Sequence, residues 1–294
     1  MSIFRYLSRF YMRLAVVRLS QAIVCRWPIG NVMPKPAAAL RLLTMCGQNT
    51  LDLLRQSLLS VYWSWTQLPR LCVCMDGTID SRDVKKAVPW WPGEMEIQSW
   101  EVYAHSLAKK GHSDILTYAQ RELFGKKLAC ILASAEIGPT LYSDTDVLWF
   151  SEPSLPSSSA AITIRMSVDD VYSYDFSLLE HLNCRDILKR PPLNAGIVFV
   201  DGPALEVPLI HEAVTRVAQF PHNFSEQTIL ALAGNYLGDH WPAEEIAIFT
   251  TDKDRLIRPG TYPRFRNWVA RHYVSPVRQL FWIDALAHAW IFRR

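Results

Sequence analysis

The chain of 294 residues has no stretch approaching the ~20 apolar residues that span a bilayer. It also has no carboxylate before residue 39. Arg5, Arg9, Arg13, Arg18, Arg26 and Lys35 stand there unopposed, and since the whole chain nets +3, the remainder nets −3. A nucleic-acid binder would usually spread basic residues through its folded domain; that pattern is missing, and nucleic acid is set aside as a partner. Arg18 breaks the apolar run that a secretory leader needs, and no A-x-A site follows. No C-x-x-C pair or spaced histidine pair marks a zinc site. Cys25, Cys46, Cys72, Cys74, Cys130 and Cys184 read instead as buried free thiols of a reducing cytoplasm. Internal repeats and low-complexity tracts are absent too.

What remains is a chain that is 50% apolar and 20% charged, long enough to bury a sizeable core. Its eleven tryptophans suit core packing first and sugar stacking second. Ile3, Leu7, Phe10, Leu14 and Val17 recur at helical spacing with Arg5, Arg9 and Arg13 roughly opposite. That is a basic amphipathic helix, either a peripheral foot on the inner face of an anionic membrane through residues 3–17 or a helix docked on the protein itself. Pro28, Pro34 and Pro36 close it, giving an extension over residues 1–38 and a domain over residues 39–294.

Ala39 to Met45 reads as a largely buried strand, and Thr50 as the N-cap of a helix carrying Leu51, Leu54, Leu58 and Val61. Arg70 to Met75 reads as a second, parallel strand with Cys72 and Cys74 on one face. Val88 to Trp100 is expected to be irregular, and Ile115 to Ala135 helical with Gly125 a weak point. Short strands are expected at Thr140–Tyr142, Ala160–Met166 and Gly196–Val200, a loop over Ser151–Ser159, and a helix from Ser225 through Ala233. Alternating strands and helices predict an α/β class.

The sharpest local signal is Asp144-Thr145-Asp146 at the end of a strand. Ligands of open α/β sheets bind outside the carboxyl ends of strands, and two carboxylates one residue apart can hold Mg²⁺ or Mn²⁺ against substrate phosphates. A turn capped by acids is the plainer reading. Haloacid-dehalogenase-like phosphatases carry the same three letters, with the first Asp as nucleophile, but on their first strand; here Asp169-Asp170 also follows too closely to be their later acidic pair.

Further pieces occur in order. Leu43-Thr44, Lys127-Leu128-Ala129-Cys130, Tyr142-Ser143-Asp144-Thr145-Asp146, Leu193-Asn194-Ala195-Gly196, Ser225-Glu226-Gln227-Thr228-Ile229-Leu230 and His272-Tyr273-Val274-Ser275-Pro276-Val277-Arg278 run from near the start to near the end. Together, from about Arg41 to Trp282, they resemble the glycogenin-like and lipopolysaccharide galactosyltransferase-like glycosyltransferases of GT-A fold. The resemblance implies a Rossmann-like mixed sheet flanked by helices and transfer of a hexose, with retention, from a nucleotide-diphosphate sugar to a saccharide or other hydroxyl acceptor. It makes Asp144, Asp146 and His272 the metal ligands, and Thr44, Lys127, Asp144 and Arg278 the donor-binding residues. Asn194, Glu226 and Gln227 are then the residues nearest the transferred sugar, with acceptor groups expected between Ser167 and Pro192, notably Tyr172, Tyr174 and Asp175.

The chemistry of these side chains is compatible with those roles. A neutral imidazole completes a coordination shell, and a planar guanidinium suits pyrophosphate. Plainer roles exist for each: a hydrogen-bonding histidine, a solvated arginine, a strand-entry asparagine, a helix-start acid. Three departures from the family pattern stand out. Ser275 replaces a glycine, Arg278 a lysine, and Gln279-Leu280-Phe281 separate Arg278 from Trp282 where the family has one proline. A GT-A domain that binds without catalysing is the competing reading from another class.

Overall fold

The computed structural model describes residues 3–156, 161–248 and 268–292, the side chains of residues 3–13, 276 and 292 excepted. The expected stripe at Ile3, Leu7 and Phe10 and the opposing Arg5, Arg9 and Arg13 therefore lie outside the described side chains, as does the last part of the Ser151–Ser159 loop.

In chain order the elements are α1 (Ile3–Cys25), β1 (Ala37–Cys46), α2 (Leu51–Ser64), β2 (Leu68–Met75), α3 (Ser81–Ala87), β3 (Met95–Ser99), α4 (Trp100–Ala108), α5 (Ser113–Arg121), α6 (Leu123–Ala135) and β4 (Thr140–Ser143). There follow β5 (Val147–Trp149), β6 (Thr163–Val168), α7 (Phe176–His181), β7 (Leu193–Asp201), α8 (Pro208–Gln219), α9 (Ser225–Leu237), β8 (Asp239–Trp241), β9 (Ile246–Ala247), β10 (Ala270–His272) and α10 (Leu280–Phe292).

Seven strands form one mixed sheet in the order β3-β2-β1-β4-β7-β6-β8. β3, β2, β1 and β4 run parallel, β7 lies antiparallel between β4 and β6, and β8 is parallel to β6. Alternation along the strands sorts side chains onto two faces. Leu43, Cys72, Cys74, Tyr142 and Val198 share one cluster with the buried faces of α4, α5, α6, α8 and α9. Leu42, Leu71, Val73, Leu141 and Ile197 share the other with α2 and a second sheet, β5-β10-β9. Trp65, Trp149 and Trp241 are fully buried. α10 and the end of α1 close over β5, where Val24 meets Leu148, Phe281 and Ile283.

Several expectations need correction. Val88–Trp100 is not irregular throughout, because Met95–Ser99 forms β3, register-paired from Leu71 to Met75; its half-buried residues lack the apolar run that marks an inner strand. The predicted helix over 115–135 is two helices, broken where Glu122 is extended at φ −137° and ψ 140°. Gly125 is not the weak point. A Cβ there would sit 2.5 Å from the Tyr118 carbonyl oxygen, so the glycine lets α6 press against the end of α5. Thr50 occupies the position before α2, but its hydroxyl accepts from Gly47 N at 3.0 Å instead of capping the helix. The first residues of β1 reach the surface, and Arg41, its one charge, is buried against Glu96.

Candidate active site

The acidic turn joins the two sheets. Asp144 follows β4, and its N–H donates to Gly196 O at 2.8 Å, which pins the turn to β7. Asp146 precedes β5, and its carbonyl accepts from Tyr273 N at 2.9 Å. β10 lies antiparallel to β5 with His272 opposite Val147. This ladder closes the sequence gap between the acids and the imidazole: His272 Nε2 is 3.2 Å from Asp146 Oδ1 and 3.6 Å from Asp144 Oδ2.

Asn194 fixes which nitrogen faces the acids. Its Oδ1 accepts from the Gly196 N–H at 2.7 Å, so that atom is the carbonyl oxygen. His272 Nδ1, 3.0 Å from the same oxygen, must then carry the proton. Asn194 Nδ2 donates to Asp169 Oδ2 at 2.7 Å, extending the chain to a second buried acid. Gly196 makes room for the ring, since a Cβ there would sit 2.1 Å from His272 Cε1.

A second polar chain begins on α6. Lys127 Nζ donates to Asp144 Oδ2 at 3.2 Å, lies 3.3 Å from Glu226 Oε1, and stands 4.8 Å over the Tyr142 ring. The Tyr142 hydroxyl donates to Asp144 Oδ1 at 2.6 Å. Lys127, Glu226, Asp146 and His272 are all buried. Burial pushes the Glu226 carboxyl up to about 7, with Lys127 opposing and Asp144 reinforcing the shift. Burial opposes ionisation of Asp146 and His272 as well. Their mutual attraction outweighs it, holding the Asp146 carboxyl below its usual range and the His272 imidazole above its own. Arg278 Nε donates to Asp146 Oδ2 at 2.8 Å.

A cavity of about 610 Å³ opens onto this group. Lys127, Asp144, Asn194, Glu226, Gln227, His272 and Arg278 all line it, so seven residues scattered from 127 to 278 converge on one space. Asp146 lies behind His272 and Arg278. Thr44 does not converge: it is buried inside β1, and Gln48 and Asn49, beyond the strand end, reach a neighbouring cavity of about 370 Å³ that shares Arg278. Asp169, Ser173, Phe124 and Phe224 line the main cavity without having stood out as site residues in the sequence. Of the suggested acceptor groups, Tyr172 donates to Arg190 O, buried Tyr174 accepts from Leu193 N, and buried Asp175 accepts from Leu178 N and caps α7. Ser275 begins a 3₁₀ turn, and Asn183 is the only non-glycine at positive φ among the described residues, so the turn accommodates a serine. Leu280 and Phe281 of the longer closing segment are buried at the start of α10.

One oxygen from each acid and one ring nitrogen all lie within 4.8 Å of one another. With Nδ1 committed to Asn194, the lone pair of a neutral ring at Nε2 points to the carboxylates. The donor set therefore fits a divalent cation, with carboxylate oxygens favouring Mg²⁺ or Mn²⁺.

A mixed sheet with this turn at its carboxyl edge defines the GT-A glycosyltransferase fold, and the chain has that fold. It superposes on the galactosyltransferase LgtC in complex with donor and acceptor sugar analogues, at TM-score 0.53 and 12% identity over 84% of this chain and 95% of that one. It likewise matches mouse xyloside xylosyltransferase 1, at TM-score 0.52 and 14% identity over 83% of this chain and 99% of that one. No protein-family model matches the sequence, and no curated protein does. The GT-A fold removes the haloacid-dehalogenase reading of Asp144.

Proposed function

We infer that the chain is a metal-dependent glycosyltransferase that moves a hexose from a nucleotide-diphosphate sugar, UDP-linked, to a saccharide or other hydroxyl acceptor with retention at the anomeric carbon. The carrying observation is the meeting of Asp144, Asp146 and His272 beside a cavity that Asp144 and His272 line together with Lys127, Asn194, Glu226, Gln227 and Arg278. Asp144, Asp146 and His272 would hold Mn²⁺ or Mg²⁺, whose chemistry is to offset the charge of a diphosphate leaving group. Arg278, whose side chain is exposed, would bind the diphosphate, and Lys127 would add positive charge beside it. Asn194 and Gln227 offer amides to sugar hydroxyls, and Glu226 its carboxyl, poised near neutrality by burial.

The test is a thermal-shift panel of UDP, GDP and CMP with and without Mn²⁺, followed by hydrolysis of UDP-hexoses, on wild type and Asp146→Asn. A rise in Tm with UDP only when Mn²⁺ is present, together with donor hydrolysis lost in the variant, is expected. Hydrolysis that survives Asp146→Asn removes that residue from the site. Metal-dependent nucleotide binding without any hydrolysis or transfer would make the domain a binding module.

A further inference from the structure

We propose that the outer face of α1 is an anionic-membrane docking surface, apart from the cavity and its chemistry. α1 turns Val24 and Ser20 inward, and half-buried Val17 packs on the same cluster as α10. The outward side should then be polar. Instead it carries Val16, Leu19 and Ile23, spaced so that they share one side of the helix, with Leu19 62% exposed. Both sides of α1 are thus apolar, and only one is covered. Ile291, near the end of the neighbouring α10, is also exposed.

Charge selects the occupant. Residues 1–38 contain six cations and no carboxylate; Lys35 is turned to the Tyr62 and Trp65 carbonyls, whereas Arg18, within the stretch that carries the ridge, and Arg26, just past the end of α1, are exposed. A basic segment with an apolar face suits a bilayer of anionic lipid, where headgroup phosphates meet the arginines and acyl chains meet the ridge. A second copy of the same ridge would bring like charges together. No described helix is long and apolar enough to cross a membrane, so the contact is one of lying on the surface. The face differs from the stripe suggested by sequence spacing: Leu14 and Val17 of that stripe are half-buried, while Val16, Leu19 and Ile23 point out.

The experiment is flotation of the full chain with vesicles of phosphatidylcholine alone or phosphatidylcholine with phosphatidylglycerol, without nucleotide or metal. Wild type should float with the anionic vesicles, and salt of about 1 M, where screening reaches about 3 Å, should release it. The triple variant Val16→Ser, Leu19→Ser, Ile23→Ser and the pair Arg18→Gln, Arg26→Gln should each lose about tenfold in partition. Both sets change exposed side chains, and circular dichroism checks that the fold persists. No flotation of wild type overturns the proposal, as does flotation unchanged in both variants. A concentration-dependent dimer by light scattering, abolished by the triple variant and without vesicle binding, overturns it in favour of self-association. Because binding is read without donor, failure here leaves the glycosyltransferase reading intact.

Discussion

Asn194 and His272, 78 residues apart in the chain, are joined by a 3.0 Å hydrogen bond from imidazole Nδ1 to amide Oδ1. The amide orientation is dictated by a backbone donor, Gly196 N, so the histidine tautomer follows from main-chain geometry. Second partners of this kind orient ligating imidazoles, and losing one typically costs about 10–100-fold in metal affinity. Asn194→Ala should weaken Mn²⁺ binding within that range, as measured by titration calorimetry. An unchanged affinity would mean that His272 is held by packing alone or does not ligate.

Gly196 yields a sharper test. A Cβ at 2.1 Å from His272 Cε1 cannot be accommodated while β7 stays in the sheet, so the ring must move. Gly196→Ala is expected to destabilise by about 1–3 kcal/mol, the range of overpacked sites. In the background of His272→Ala the same substitution should cost far less, because the clashing ring is gone. Equal costs in both backgrounds, from denaturant midpoints in a double-mutant cycle, would show that the strain lies elsewhere.

Arg278 and a cation compete for Asp146. The guanidinium Nε is 2.8 Å from Oδ2, and His272 holds Oδ1, so both oxygens of Asp146 are engaged. Arg278→Gln should therefore tighten Mn²⁺ binding several-fold when nucleotide is absent, and weaken UDP binding in the presence of Mn²⁺. Opposite signs in the two titrations are the signature. A loss in both would make Arg278 a structural support of the turn.

The order of motifs made the convergence of Lys127, Asp144, Asn194, Glu226, Gln227, His272 and Arg278 legible before any fold was known, because sequence motifs preserve the residue types a site needs. The strands β1 and β2 were legible for a simpler reason: each carries an apolar run buried on both faces. β3 was not, since a half-buried edge strand, MEIQS, has no such run. Thr44, assigned to the donor by the resemblance, lies within β1, whose end at Cys46 is one residue beyond the Met45 read from the sequence. Asp169 stood in the expected acceptor segment, but its pairing with Asn194 was not legible, because it is set across the β6–β7 pairing, a relationship that no local spacing encodes. The outward apolar ridge of α1 was missed because α1 has apolar residues on two sides, and spacing alone does not say which one docks.

Glu226 gives the pH dependence. Its carboxyl rises from 4.5 to about 7 on folding, chiefly through burial. A group whose pKa is raised on folding stabilises fully while it is protonated in both states, so its contribution is intact at pH values below 4.5 and declines as pH rises through about 7. At roughly 1.4 kcal/mol for each pH unit between those values, the decline amounts to at most about 3.5 kcal/mol. Glu226→Gln cannot ionise and keeps the amide where the protonated acid stood. The stability difference between variant and wild type should therefore move in the variant's favour by up to that amount between about pH 4 and 8. Urea midpoints across this interval measure it. Parallel curves for the two proteins would mean that Glu226 stays ionised when folded, with Lys127 fully offsetting its burial.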